Sequence, residues 1–268
     1  MNLAVIGGGR MGSSLIRGLL TSGIVPADAI RLTSSTPERA ALTAASLGVG
    51  HDLSNLEAAT RADVIVLSVK PAKALDVISG MAGALGGKLL ISMVAGIRSA
   101  DLASAAGPGC RIIRVMPNTA IRLLKGMTAI SSHDGSRPED TTLAERLFGA
   151  VGSVERVSEA QLDVVTAVSG SGPAFALLML EAMTAEGTAR GLGADQARML
   201  TASAFSAAAD LVRETGENPS QLREEITSPG GTTAAGLRTL EEGNFTQLVR
   251  AAVAAAAARS AELSSPAR

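Results

Sequence analysis

The residues best placed to do chemistry in this chain form a glycine run, Gly7-Gly8-Gly9-Arg10-Met11-Gly12, directly after the apolar stretch Leu3 to Ile6. Gly7 permits a tight turn, Gly9 lets the backbone approach a diphosphate, and Gly12 allows a following helix to pack closely on the strand. Free amides at that helix start face an anion. Further on, Thr33-Ser34-Ser35-Thr36-Pro37-Glu38-Arg39 stands where an Asp or Glu would grip the ribose hydroxyls of NADH. Hydroxyls with Arg39 nearby suit a 2′-phosphate instead, so the spacing favours NADPH, with NADH possible. A Ser/Thr helix cap before Pro37 is compatible with that reading.

Three further turns fall at the ends of apolar runs: Ser68 with Lys70-Pro71, Ala95-Gly96, and Pro117-Asn118. Ligands bind at such carboxyl edges in open α/β sheets. The Asn118 amide is suited to a nicotinamide or its ribose. In the second half, Ser169-Gly170-Ser171-Gly172-Pro173 interrupts an apolar helical pattern and is expected to break or restart the helix. Ser228-Pro229-Gly230-Gly231-Thr232-Thr233 precedes another helix, where successive amides from Gly230 to Thr233 would hold a carboxylate.

What the chain lacks narrows the reaction. It has no Tyr or Trp, its two histidines are His51 and His133, and its last lysine is Lys125. Hydride reduction of a carbonyl ordinarily needs a proton donor for the developing alkoxide. A protonated imine needs none, because hydride neutralises the cation, so the expected substrate is an imine bearing a carboxylate. No clustered-histidine metal site is expected. Aromatic poverty and a net charge of −1 argue against nucleic-acid partners.

These groups must be held by a scaffold. Before about residue 157 short β-branched runs alternate with helical patterns, predicting a doubly wound, Rossmann-type parallel sheet. Strands are expected at Leu3 to Ile6, up to Ser34, and over Asp63 to Val69, Lys88 to Met93, Arg111 to Val115 and Met127 to Ser131. Helices are expected over Met11 to Ser22 and Glu38 to Leu47. Beyond Glu155 only helices are predicted: Leu162 to Ala189, Gly193 to Thr215, Thr232 to Glu242 and Phe245 to Glu262. Two domains follow, a dinucleotide-binding domain over 1–157 and an all-α substrate and dimerisation domain over 158–268. Pro138-Glu139 reads as a polar turn and Pro266 as part of a frayed tail.

The first half carries 16 basic and 12 acidic residues, the second 8 and 13, which fits an anionic cofactor on the first. The lone Cys110 points to a reducing, cytoplasmic setting. The apolar stretches near 63–69 and 88–97 fall short of the ~20 residues that span a bilayer, so no membrane partner is expected.

Six motifs carry a resemblance: GGGRMG at Gly7 to Gly12, SVKP at Ser68 to Pro71, AGI at Ala95 to Ile97, RVMPNT at Arg114 to Thr119, SGSGPAF at Ser169 to Phe175 and SPGGTT at Ser228 to Thr233. In these the sequence resembles the pyrroline-5-carboxylate reductases over essentially its whole length. The resemblance implies NAD(P)H-dependent reduction of 1-pyrroline-5-carboxylate to proline, and a helical domain that interlocks with a second subunit to build a homodimer or a larger homo-oligomer. Matching positions imply that Ser34, Ser35, Asn55, Lys70 and Ala95 line the cofactor, with Asn118 beside them. Glu159, Ser228, Thr232 and Thr233 would line the substrate, Thr233 nearest the ring nitrogen or carboxylate. Ala120 replaces a proline usual in the family, and Glu225 stands where relatives often carry a neutral polar group.

Two rival classes remain at this point. A β-hydroxyacid dehydrogenase would use a second-domain lysine, which is absent, and a noncatalytic NADPH-binding regulator would have no need of the anion site.

Overall fold

The computed structural model describes residues 1–263; the expected tail at Pro266 lies outside the described residues. Eight strands form one sheet in the order β3-β2-β1-β4-β5-β6-β7-β8. They are β1 Leu3–Ile6, β2 Ile30–Thr33, β3 Gly50–His51, β4 Val64–Leu67, β5 Leu89–Ser92, β6 Arg111–Pro117, β7 Gly126–Ser132 and β8 Gly152–Arg156. Only the β6–β7 pair runs antiparallel.

The continuous apolar runs have a direct cause. Leu3 and Val5 of β1, Val64 and Val66 of β4, and Leu89 and Ile91 of β5 point into one core. The alternate residues Ala4, Ile6, Ile65, Leu67 and Leu90 point into a second core on the opposite face. Side chains alternate across a strand, so a sheet covered on both faces must be apolar at every position. Each fully buried Leu or Ile contributes roughly 1.5–3 kcal/mol to that packing.

Helices α1 Arg10–Thr21, α2 Pro37–Leu47, α3 Asn55–Arg61, α4 Pro71–Ser79, α5 Ser99–Ala106 and α6 Pro138–Gly149 cover the sheet. The last of these corrects the expected turn at Pro138-Glu139. Pro138 occupies the first helical position and Asp140 accepts from the Arg137 amide at 2.9 Å, so the polar pair is a helix start. The short β3 and the polar, half-exposed β8 were also not expected; both lie at sheet edges, where apolar alternation is weak.

The remaining elements are helical. A 3-10 turn at Glu159–Gln161 leads through α7 Leu162–Val165 and a π-helical turn Thr166–Ser171 into α8 Gly172–Ala189. Ser169-Gly170-Ser171 therefore does not break the helix. The chain absorbs its glycines as one wide turn and stays helical, so no free helix start exists there. Helices α9 Ala194–Thr215, α10 Pro219–Glu225, α11 Thr232–Glu242 and α12 Phe245–Leu263 follow.

The chain separates into two compact units. Among the described residues, one comprises Met1–Gly170 together with 255–263, the other Ser171–Ala254. The first boundary of this division lies at the end of the π-helical turn. By length and composition the helical run Glu159–Ala189 would suffice to cross a membrane, and 11% of its most apolar window is buried. Within the second unit, Leu177, Leu178, Met199, Leu200 and Leu248 are exposed, and α8 buries no residue.

Candidate cofactor and substrate sites

In the first unit a cleft of about 420 Å³ opens at the carboxyl ends of β1, β2 and β4. It is lined by Gly7, Gly8 and Gly9, by Ser34, Ser35 and Arg39, and by Asn55 and Lys70. Thr33, which opens the hydroxyl-rich stretch, and Lys73 line it as well. Sequence reasoning missed Lys73, although it lies one helical turn beyond Lys70.

The glycines fit a dinucleotide on their own geometry. Gly7 has φ +110°, and a Cβ there would stand 2.3 Å from the Ser68 carbonyl oxygen. A Cβ on Gly12 would stand 2.3 Å from the Gly7 carbonyl oxygen, so this glycine seats α1 against the loop. Gly9 faces open space, the approach a diphosphate needs. The Gly7 and Gly8 amides both donate to the Thr33 carbonyl, at 3.2 and 2.8 Å, tying the loop to β2.

Donors for an anion therefore come from the next turn. Helix α1 starts on Gly9 with no side-chain cap and no acidic residue in its first turn. Its first amides, from Arg10, Met11 and Gly12, have no carbonyl within the helix to bond. By contrast α2 is capped by Thr36 and carries Glu38, and α3 is capped by Ser54 and carries Glu57. Asn55 is oriented by Thr33, whose hydroxyl donates to its Oδ1 at 2.6 Å, which leaves the amide nitrogen free to meet a ribose.

Other expected cofactor residues lie outside this cleft. Ser68 holds the loop through its amide, bonded to the Ile6 carbonyl at 2.8 Å, and Pro71 is the first residue of α4. Ala95 and Gly96 sit in the turn after β5, where Gly96 adopts φ +72° and lies against Leu263. The Asn118 oxygen accepts from the amides of Ala120 and Met127, at 3.1 and 3.3 Å, so it caps the 3-10 turn Thr119–Leu123. Its amide nitrogen reaches Ser169 at 3.4 Å.

Glu159 is fixed by two donors. Its Oε1 accepts from Arg114 Nη1 at 2.8 Å and from the Ser99 amide at 2.6 Å. Burial opposes its charge, but the hydrogen bonds from Arg114 and Ser99, with the Arg114 charge, outweigh that and hold the carboxyl below the ordinary carboxylate range. Arg114, buried on β6, is a partner the sequence reading did not name. Burial pushes the Cys110 thiol up to about 11, which disfavours the thiolate near neutral pH.

In the second unit, α11 also begins on a glycine, Gly231, with no side-chain cap and no acidic residue in its first turn. Gly230 has φ +72°, which turns Ser228 back so that its carbonyl accepts from the Gly231 amide at 3.0 Å. That amide is taken, and the free donors are those of Thr232 and Thr233 with Ala234 after them. Ser228 precedes this helix start, and Thr232 and Thr233 are its first two residues.

The second unit also holds an apolar groove of about 520 Å³, lined by Phe175, Phe205 and Phe245 with Leu178, Leu248 and Val249. Among the described residues no group of three or more His, Cys, Asp or Glu is placed to hold a metal ion.

Comparison with known proteins accounts for both units. Residues 159–263 match the family model described as pyrroline-5-carboxylate reductase dimerisation. Residues 2–96 match that of the coenzyme F420-dependent NADP oxidoreductases. A pyrroline-5-carboxylate reductase of Glycine max is 40% identical over 98% of this chain and 96% of its own length. The solved structure of one from Coxiella burnetii superposes with a TM-score of 0.91 at 34% identity, covering 98% of both chains. That of the Plasmodium falciparum pyrroline carboxylate reductase with NADP bound gives 0.90 at 30% identity, covering 99% of this chain and 98% of that one. Matched at such identity from the glycine loop to the last described helix, the chain belongs to the pyrroline-5-carboxylate reductase family.

Proposed function

We propose that this protein reduces 1-pyrroline-5-carboxylate to L-proline with NADPH, the last step of proline biosynthesis, as a cytoplasmic homodimer or a larger assembly of dimers. The observation that carries the reading is the full-length likeness to pyrroline-5-carboxylate reductases, which takes in both the glycine cleft and the start of α11. The free amides of α1 would hold the diphosphate, Ser34, Ser35 and Arg39 the adenosine end, and Asn55 and Lys70 the intervening riboses and phosphates. The turns at Ala95-Gly96 and Asn118 would border the nicotinamide. Bound there, the cofactor supplies hydride to the imine carbon.

The protein's own contribution is positional and electrostatic. The amides of Thr232 and Thr233 would hold the substrate carboxylate, with Gly230 and Gly231 shaping the turn. The hydroxyls of Ser228 and Thr233 would orient the ring, Thr233 nearest the nitrogen. Glu159, kept ionised by Arg114, would offer negative charge to an iminium. No side chain is needed as an acid, because the substrate carries its proton on nitrogen.

The test is NADPH oxidation with 1-pyrroline-5-carboxylate beside a panel of hydroxyacids and their ketones. Turnover with the imine and none with the panel is expected; protein that binds NADPH yet leaves the imine untouched refutes the reading.

A further inference from the structure

Beside the cofactor cleft lies a second hollow, of about 380 Å³, on the outer face of α1. It shares Gly8, Gly9 and Arg39 with the cleft and adds Arg10, Arg17 and Arg122. Arg10 and Arg17 are two turns apart on α1, Arg39 comes from α2, and Arg122 comes from the 3-10 turn after β6. No carboxylate lines this hollow, and among the described residues none of the four arginines has an ion-pair partner. Elsewhere in the same unit Arg31, Arg61, Arg111, Arg114 and Arg156 are each paired with Asp or Glu.

Four arginines lining one hollow from three elements repel one another, and among the described residues no carboxylate lines it to offset that repulsion. The ligand that relieves it is an anion of high charge density, and guanidinium forks match phosphate oxygens in geometry. Continuity with the cleft through Gly8, Gly9 and Arg39 says which phosphate. We infer that Arg17 and Arg122, with Arg10 and Arg39, form the recognition pocket for the 2′-phosphate of the cofactor and set the preference for NADPH over NADH. This rests on the reductase reading above, but Arg17 and Arg122 belong neither to the glycine fingerprint nor to the turn after β2. A phosphate from another source, such as free pyrophosphate, has the same chemistry and is separated by experiment.

The experiment compares kcat/KM for NADPH and NADH in the wild type, in Arg17→Gln/Arg122→Gln, and in the charge-keeping Arg17→Lys/Arg122→Lys. The Gln pair is expected to lower the NADPH-to-NADH ratio about tenfold, a loss of about 1.4 kcal/mol, and the Lys pair to recover most of it. Raising salt should shrink the wild-type ratio toward that of the Gln pair. A ratio unmoved by the Gln pair, in enzyme that still turns over, overturns the inference and leaves the reductase reading standing; no turnover in the wild type defeats that reading instead. Adenosine 2′,5′-bisphosphate should compete with NADPH more strongly than 5′-AMP. Inorganic pyrophosphate binding together with NADPH, rather than against it, would overturn the inference in favour of a separate anion site.

Discussion

The two units solve the burial problem in different ways. In the first, β1 and β4 are sealed on both faces, and Leu3, Ile6, Ile65 and Leu67 are wholly removed from solvent. In the second, α8 buries nothing, Leu178 is 69% exposed, and three of the chain's four phenylalanines border an open apolar groove. A face of that kind has little reason to exist in an isolated monomer. The difference teaches that the first unit closes its own cores, whereas the helical unit, which lies within a match to a dimerisation family model, leaves an apolar face uncovered within one chain.

Paired substitutions break that contrast most strongly. Leu67→Ala in the first unit should cost about 2–5 kcal/mol, read as a thermal shift independent of protein concentration. Leu178→Asp in the second should instead dissociate the assembly, seen by sedimentation, and make melting strongly dependent on concentration. Equal, concentration-independent effects from both would remove the distinction.

The next effect concerns the cradle. Gly12→Ala forces a methyl into the Gly7 carbonyl, and should destabilise the first unit by about 1–3 kcal/mol and weaken NADPH binding measured by calorimetry. Oligomeric state should stay as in the wild type, since the change lies outside residues 159–263.

Glu159→Gln comes next. It leaves buried Arg114 without its counter-charge, for roughly 1–3 kcal/mol. The folded carboxyl has a lowered pKa, so its contribution is present above the ordinary carboxylate pKa and fades as pH falls through the lower folded value. Denaturant titrations across that acid range should show a steeper loss for the wild type than for the variant. Parallel curves would mean that the pair contributes nothing to the acid limb.

The smallest expected effect is chemical. Thr233→Val should lower kcat/KM for the imine about tenfold, about 1.4 kcal/mol, with NADPH affinity little changed. Comparable weakening of NADPH would reassign the start of α11 to the cofactor.

Much of this was legible because periodicity and glycine are strong signals. The doubly buried strands write themselves as unbroken Val/Ile/Leu runs, and the long helices of the second half as Ala/Leu/Met patterns. Helices α3 to α5 were hidden because they bury small residues, such as Ala58, Ala59 and Ala74, which give little amphipathic contrast. The π-helical turn was misread for a different reason: local propensity says that two glycines and a proline end a helix, while the structure spends one extra residue and carries on. Glu159 could be named by resemblance, but its hold on Arg114 spans 45 residues of sequence and has no local signature. The same is true of the arginine hollow, which three separate elements assemble.

The most direct test of the central claim follows the hydride itself. NADPH carrying deuterium at the transferable C4 position is incubated with 1-pyrroline-5-carboxylate, and the product is analysed by mass spectrometry. Reduction at the imine carbon predicts L-proline heavier by one mass unit, with the label at C5. Unlabelled proline, or oxidised cofactor without proline, would contradict it.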